Sequence, residues 1–227
     1  MPRSSRKTPG GMVFHVLNRG VGRMRIFEKE NDYEAFERIL EETLGRQPMR
    51  VCAYCLMPNH WHFVLWPQKD GDLAAFMQRL TITHATRWQR HKHRVGYGHV
   101  YQGRFKSFPV ETEDYFYQVV RYVECNAHRA KLVAQPDAWR WSSLWRFCHG
   151  SRKQKELLST WPVPRPRGWQ RHVAEPQTPA ELAVLRRCVN RGAPLGSSDW
   201  IAKTAKALGL EFAIRPRGRP RKGQPQK

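Results

Sequence analysis

The spacing of apolar positions predicts alternating strands and helices over the first half of the chain. Short apolar runs at Met12–Leu17, Met49–Leu56 and Trp61–Trp66 are typical of strands bounded by turn residues. A two-residue turn separates the second run from the third, so these two strands are expected to form a hairpin. From Tyr33 to Leu44, and again from Leu73 toward Trp88, apolar residues recur with the period of an amphipathic helix.

A fourth strand and a third helix follow. Gly103–Val110 reads as the strand, and Thr112 is expected to cap a helix whose first turn holds Glu113 and Asp114, where the helix dipole favours acids. Before this last helix the order is strand, helix, strand, strand, helix, strand, which is the split βαβ or ferredoxin-like arrangement. The sequence therefore predicts an α+β fold: an antiparallel sheet with helices on one face and a further helix after the last strand.

The second half of the chain changes character, and four regions are expected. Residues 1–150 form the main domain, and residues 151–177 are interpreted as a basic, proline-rich linker. Residues 178–210 form a two-helix extension that opens on a capping box at Thr178 and Glu181, with a proline at the first helical position. Residues 211–227 form a basic tail rich in Pro, Gly, Arg and Lys.

The charge balance narrows the choice of partners. The chain carries 40 Lys and Arg against 19 Asp and Glu, a net charge of +21. A surplus of that size, clustered along the sequence, indicates an anionic partner, either nucleic acid or a membrane surface. No stretch approaches the roughly 20 apolar residues of a spanning helix, so nucleic acid is favoured and no membrane role is expected.

The five cysteines argue against a disulfide framework, because their number is odd and their spacing uneven. Cys52 and Cys55 form a CxxC pair, but positions three apart on a strand point to opposite faces, and there is no second pair to complete a zinc site. Buried free thiols are the preferred interpretation. A bacterial cytoplasmic, nucleoid-associated location is expected.

The first candidate site is the sequence Pro58-Asn59-His60-Trp61-His62. On a strand, His60 and His62 point to one face and Trp61 to the other, where it can pack under a helix. Two imidazoles at this spacing can converge on one cation. A histidine pair of this kind is also common as plain surface or core residues, so the motif alone leaves both interpretations open.

The second candidate site lies on the third predicted helix. Tyr122 and Asn126 are one turn apart and share a face. Taken alone, such a pair usually means core packing and a cap. Opposite the histidines it acquires a chemical meaning, with Asn126 offering an oxygen as third metal ligand and Tyr122 a phenolic oxygen to a phosphate. Tyr115, seven residues earlier on a similar face, is the alternative nucleophile.

A metal would make this chemistry feasible. A free phenol has a pKa of about 10, so a nearby cation is needed to make it a usable nucleophile. The same cation would polarise the phosphate and offset charge in the transition state. Either Mg²⁺ or Mn²⁺ is expected, and imidazole ligands suit Mn²⁺ better.

Five stretches together carry a resemblance to a known family. Four are Pro9–Gly20, Tyr54–Leu65, Tyr101–Lys106 and Arg121–Val133, and the fifth is Trp141-Ser142-Ser143. They resemble the REP-associated tyrosine transposases, relatives of the single-strand transposases of small bacterial insertion sequences, over roughly residues 9–147.

That resemblance implies a site and an activity. In it, His60 and His62 are the metal ligands of a single-tyrosine HUH enzyme, and Asn126 matches the polar position four residues after the tyrosine. Tyr122, on the helix after the last strand, would attack DNA to leave a 5′-phosphotyrosine and a free 3′-OH. The implied substrate is a repetitive palindrome folded into a single-stranded hairpin. Where the family usually has Asn-Pro-Val-Arg-Ala, this chain has Asn-Ala-His-Arg-Ala.

Two basic regions are candidate DNA-binding surfaces. Cations crowd the end of the second helix and the loop after it, interleaved with the aromatic residues Trp88, Tyr97 and Tyr101, a combination that suits single strands. The tail contains Arg-Gly-Arg-Pro, which looks like an AT-hook core, although a general electrostatic tail explains it nearly as well. The candidate DNA contacts are Arg87, Arg90, Lys92, Arg94, Arg104, Lys106, Arg217 and Arg219.

Two alternatives to the strand-transfer enzyme remain. A non-catalytic, domesticated nucleic-acid-binding regulator on the same fold would share the charge without needing Tyr122 and the histidines together. A replication or plasmid-transfer initiator is less favoured, because the chain lacks a helicase-sized region. The sequence leaves open whether the protein is a monomer or a homodimer.

Overall fold

A computed structural model describes residues 7–215. Four strands form one sheet in the order β2-β3-β1-β4, with every neighbouring pair antiparallel. This is the predicted split βαβ topology, because β3 lies between β1 and β2. The strands are β1 Val13–Arg19, β2 Arg50–Met57, β3 His60–Trp66 and β4 Lys106–Val110.

Two long helices cover one face of this sheet. They are α1 Glu30–Arg46 and α2 Asp72–His91, and they pack with each other over Trp61, Phe63 and Leu65 of β3. We call this the inner face. All three side chains are fully buried, as expected for the apolar positions of a half-covered strand.

The opposite, outer face is covered by the helix that follows the last strand. This helix, α3 Asp114–Glu124, is continued after Cys125 by the short helix α4 Asn126–Arg129. The expectation that Thr112 caps α3 is wrong: the capping position is Glu113, which has a left-handed φ of 73° and makes no side-chain capping bond. The strand predicted from Gly103 also begins later, at Lys106.

The two cysteines of β2 correct one step of the sequence interpretation. A shift in register between Val51 and Ala53 marks a bulge, and both Cys52 and Cys55 consequently lie in the outer hydrophobic cluster rather than on opposite faces. A bulge inserts one residue into the strand and so reverses the alternation after it. Both thiols are free and fully buried, as predicted.

The region 151–177 is not the extended spacer that its proline content predicts. It contains the short helices α6 Arg152–Lys155 and α7 Trp169–Ala174, and the buried side chain of Trp169 packs in the outer cluster. The proline-rich composition misleads because regularly placed tryptophans anchor the segment. The remaining helices are α5 Ser143–His149, α8 Pro179–Arg191, α9 Ser198–Leu208 and α10 Glu211–Ile214.

Later parts of the chain also cover both edges of the sheet. On β4, the backbone of Leu195 exchanges hydrogen bonds of 2.9 and 2.8 Å with Pro109 and Glu111. On β2, the backbone N–H and C=O groups that face away from β3 form hydrogen bonds with residues between Trp139 and Trp161. These bonds join Val51 to Ser159, Cys52 to Trp161, Tyr54 to Ser143, and Leu56 to Trp139 and Trp141.

Candidate active site

Three histidines meet on the outer face of the sheet. His60 and His62 on β3 have ring centroids 5.0 Å apart, as the spacing of two residues on one strand requires. His15 on the neighbouring strand β1 lies behind them, and its Nε2 is 2.9 Å from Nδ1 of His62. The predicted histidine pair is therefore brought together, and a third imidazole supports it.

The contacts of the two predicted ligands leave their Nε2 atoms for a cation. Nδ1 of His60 is 2.6 Å from Oδ1 of Asn59, and Nδ1 of His62 faces His15. When a ligand histidine donates Nδ1–H to such a partner, its tautomer and ring orientation are fixed and the lone pair is on Nε2. For His62 this requires the proton of His15 to be on its own Nδ1, a buried atom with no hydrogen-bond partner in the described chain.

Burial keeps these imidazoles neutral, which is the form that binds metals. Desolvation lowers the pKa of His60 to about 4, helped by the charges of Arg19 and Arg129. It lowers the pKa of His62 well below its usual value, with smaller contributions from His60 and His15. The donor set thus fits a divalent cation through two nitrogens, since neither ring must lose a proton at neutral pH.

Tyr122 on α3 faces the histidines across the site. Its ring centroid is 5.9 Å from that of His62 and 6.2 Å from that of His15. Tyr115, the alternative nucleophile, is partly buried in the outer cluster and has no ring contact with any of the three histidines. The geometry therefore associates Tyr122, and not Tyr115, with the histidine pair.

Asn126 lies close by, but its oxygen has another partner. Nη2 of Arg129 donates to Oδ1 of Asn126 at 2.8 Å, and the guanidinium also lies 4.3 Å above the ring of Tyr122. The amide Nδ2 of Asn126 is buried without a partner. To act as the third ligand, Asn126 would have to offer the second lone pair of the same oxygen to the cation, with the positive charge of Arg129 beside it. Within residues 7–215, no group of three or more His, Cys, Asp and Glu side chains could hold a metal ion.

Residues beyond the main domain hold α3, the helix that carries Tyr122, in place on its outer side. Arg121 donates to the carbonyls of Glu175 and Pro176 at 2.7 and 3.2 Å. The fully buried carboxylate of Glu124 accepts from the indole of Trp169 at 2.7 Å and from Ser143 at 2.6 Å, and burial raises its pKa. The segment interpreted as a linker thus fixes the helix that carries Tyr122.

The predicted DNA contacts divide into paired and unpaired cations. Arg87 makes a bidentate ion pair with Glu42 at 2.7 and 2.9 Å. Lys92 bonds to Glu28 at 2.7 Å and to Asp32 at 3.3 Å. The predicted contacts that are exposed and have no ion pair with another of residues 7–215 are Arg90, Arg94, Arg104 and Lys106. Arg217 and Arg219 lie outside the described residues.

The three aromatic residues among those cations also differ. Trp88 is buried and donates to the carbonyl of Ile26, and Tyr101 is buried between Trp61 and His84. Tyr97 is 77% exposed, with Arg94 stacked near it. Only Tyr97 of the three is therefore available to an unpaired base.

Sequence reasoning missed His15, Arg19 and Arg129 as parts of this site. His15 and Arg19 lie on β1, and the strand pairing sets Arg19 opposite His60. A signal existed for His15, because a histidine interrupts the apolar run Val13–Leu17.

No described helix is long and apolar enough to cross a membrane.

Comparison with known proteins identifies the family of the chain. The family model described as "Transposase IS200 like" matches residues 10–126, which include both histidines, Tyr122 and Asn126. No curated protein matches the sequence. Among solved structures, a REP-associated tyrosine transposase bound to a REP hairpin is 18% identical, with a TM-score of 0.52 over 78% of this chain and 99% of that one.

A putative transposase from Deinococcus radiodurans R1 is 16% identical, with a TM-score of 0.38 over 55% of this chain and 96% of that one. The REP-associated structure shares the four-stranded antiparallel α+β fold, which confirms the predicted fold class. The family match covers more than half of the sequence and includes every candidate catalytic residue. The chain belongs to the family of IS200-like transposases.

Proposed function

We propose that this transposase cuts and rejoins single-stranded DNA through a covalent bond to Tyr122. The observation that carries the proposal is the approach of the Tyr122 ring to within 5.9 Å of His62, on the same face as His60. A phenol beside a metal-competent histidine pair is the arrangement that such a reaction needs.

The reaction can be written with the chain's own residues. The phenol of Tyr122 gives up its proton to solvent and its oxygen attacks the phosphorus, so that a Tyr122–O–P bond forms and the P–O3′ bond breaks. The products are a 5′-phosphotyrosine and a strand whose 3′ oxygen takes up a proton. Because the phosphodiester energy is conserved in the tyrosine ester, a 3′-OH can attack it and the strand can be rejoined.

His60 and His62 would hold the metal, Mn²⁺ or Mg²⁺, through Nε2. When bound, a divalent cation polarises the scissile phosphate and offsets its negative charge. Arg129 and Arg19 add fixed positive charge beside the same two histidines. Asn126 stays the proposed third ligand, and Arg129, which donates to its oxygen, is a suitable guanidinium partner for the incoming phosphate.

The natural substrate is proposed to be a hairpin formed by a repetitive palindrome. Support comes from the shared fold with a transposase whose structure was solved with a REP hairpin, and from the net charge of +21. The motif resemblance of the sequence points the same way. Phosphate contacts to the exposed cations would give affinity that falls with salt.

A covalent-adduct assay tests the proposal. Purified protein is mixed with a labelled single-stranded hairpin oligonucleotide and Mn²⁺ or Mg²⁺, and adducts are resolved on a denaturing gel. We expect an adduct that is absent with a chelator, absent in Tyr122→Phe and absent in His60→Ala. Tyr115→Phe is the matched control and should retain it. An adduct in Tyr122→Phe would contradict the assignment of the nucleophile.

The second candidate is a DNA-binding regulator without catalysis. The observation that favours it is the bond between Arg129 and Asn126, which places a positive charge beside the oxygen proposed to bind the metal. Binding of the hairpin with no adduct at any metal concentration would support this candidate and refute the first.

A further inference from the structure

A basic groove runs along the edge strand β4 where the C-terminal helices meet it. The groove has a volume of about 360 Å³. One wall is formed by Arg104 and Lys106 with the preceding chain at Lys7, and the other by Arg191 at the end of α8 and Phe212 of α10. The matched family segment ends at residue 126, so the second wall is built by the part of this chain beyond it.

The charge of the groove is uncompensated. Its four cations are Lys7, Arg104, Lys106 and Arg191, and no carboxylate lines it among the described residues. None of the four is in an ion pair with a described residue.

Neutral carbonyls hold two of these cations in place. Lys7 donates to the carbonyl of Ala207 at 3.3 Å, and Arg191 donates to that of Phe212 at 2.9 Å. A neutral acceptor orders the side chain without cancelling its charge. The groove therefore holds ordered, uncompensated cations, which are suited to binding an anion.

Strand register connects this groove to the candidate active site. Lys106 of β4 pairs with Leu17 of β1, and Leu17 pairs with His62 of β3. Two strand spacings, about 10 Å, therefore separate the backbone of Lys106 from that of His62. A polyanion bound in the groove would have one end close to the histidine pair.

An exposed aromatic ring indicates what kind of polyanion fits. Phe212 is 64% exposed at the rim of the groove. Fixed cations for phosphates beside a free ring for an unpaired base are the recognition elements of single strands. The phosphates of a double helix could also bind the cations, but its bases are stacked on each other and none is available to stack on Phe212.

We propose that this groove holds the single strand of DNA adjoining the scissile phosphate, with its phosphates on the four cations and a base on Phe212. The inference rests on the proposed function, since it concerns the strand that Tyr122 would cut. It gives the C-terminal helices a role in substrate binding and not only in covering β4.

Salt dependence of binding tests the groove directly. The full chain, carrying Tyr122→Phe to prevent covalent reaction, is titrated with a fluorescent mixed-sequence single strand over a range of salt concentrations. Each phosphate contact contributes about 0.7 to the slope of log affinity against log salt for single strands. The double variant Lys106→Gln/Arg191→Gln should therefore lower that slope by about 1.4.

A charge-matched control separates the groove from the overall charge. Arg38→Gln/Arg87→Gln removes the same formal charge, but these two cations are ion-paired with Glu34 and Glu42. Its slope should equal that of the parent. Phe212→Ala should weaken binding by about fivefold or more at an unchanged slope, because stacking does not release counterions.

Two results would overturn the proposal. If Lys106→Gln/Arg191→Gln and Arg38→Gln/Arg87→Gln reduce the salt dependence of binding equally, only the net charge of the protein matters. Loss of slope with a blunt duplex but not with the single strand would assign the groove to duplex DNA. Adduct formation is measured separately, with a protein that retains Tyr122 and an unaltered groove, so that failure of the proposed reaction is distinguished from failure of the groove. The binding slopes remain readable even if no adduct forms at all.

Discussion

The two faces of the sheet are built from the same strands for different purposes. On the inner face, Trp61, Phe63 and Leu65 are fully buried against α1 and α2. The intervening residues of β3, His60 and His62, point to the outer face and meet Tyr122 there. Alternate residues of β3 therefore belong to the inner core and to the candidate site.

The buried polar groups around Trp61 and around Tyr122 are satisfied differently. On the inner face, the indole of Trp61 donates to Tyr101, whose hydroxyl in turn contacts His84, at 3.1 and 2.7 Å. On the outer face, Nδ1 of His15, Nε of Arg121 and Nδ2 of Asn126 are buried without a hydrogen-bond partner among residues 7–215. Unsatisfied buried groups cost stability and are rare, and two of these three, on His15 and Asn126, belong to residues around the candidate site.

The largest expected contrast comes from two neighbouring residues of β3. Phe63→Ala should lower the free energy of unfolding by about 3–5 kcal/mol, because it opens a cavity in the inner core. His62→Ala should cost less stability and abolish the metal-dependent adduct. Urea denaturation followed by circular dichroism, together with the adduct gel, measures both. If His62→Ala destabilises as strongly as Phe63→Ala, the outer face is core as well and the contrast fails.

A smaller effect is expected where the C-terminal chain fastens the tyrosine helix. Trp169→Phe removes the donor to the fully buried Glu124, and an unsatisfied buried acceptor costs about 1–3 kcal/mol. We also expect slower adduct formation, because α3 is then held less firmly. Trp145→Phe is the control, since the Trp145 indole makes no hydrogen bond within residues 7–215. Identical losses in both variants would show that only ring packing matters.

The inner face should also carry a pH dependence. Burial lowers the pKa of His84 to about 3, so the unfolded chain binds a proton at a higher pH than the folded one does. Stability is therefore fully present above the unfolded pKa of about 6.5 and is lost as the pH falls. Between pH 7.5 and 5.5 this group alone should remove about 1.4 kcal/mol from the free energy of unfolding.

His84→Asn, which keeps a polar group near Tyr101 but does not titrate, tests that expectation. Unfolding at the two pH values should show a smaller loss for the variant than for the parent, by the amount given. The buried histidines of the outer face add their own loss to both proteins and cancel in the comparison. An equal loss in parent and variant would mean that folding does not lower the pKa of His84.

The sequence was sufficient for the topology and for the central pair of the site. Alternation along β3 is strict, and the helical spacing in α1 and α2 is regular, so local pattern determined both. It was not sufficient where contacts are remote in sequence. The bond between His15 and His62 spans 47 positions, and that between Glu124 and Trp169 spans 45.

Composition was a poor guide in the segment 151–177 for a related reason. Proline and basic residues suggested a spacer, yet Trp161 and Trp169 bind Cys52 and Glu124 through their indole N–H groups. Whether a tryptophan anchors a segment depends on the acceptor it meets, which a local pattern does not contain. The ion pairs of Arg87 and Lys92 could not be predicted for the same reason, because their carboxylate partners lie on the preceding helix and loop.

The covered sheet edges have a consequence for self-association. Two copies of a protein can join by aligning free edge strands into one continuous sheet, and native proteins block such edges when this must be avoided. Here the outward hydrogen-bonding groups of β2 are occupied along the strand, and Leu195 takes those at the end of β4. Backbone pairing of two copies along β2 is therefore blocked, because the hydrogen-bonding groups of that edge are already used within the chain.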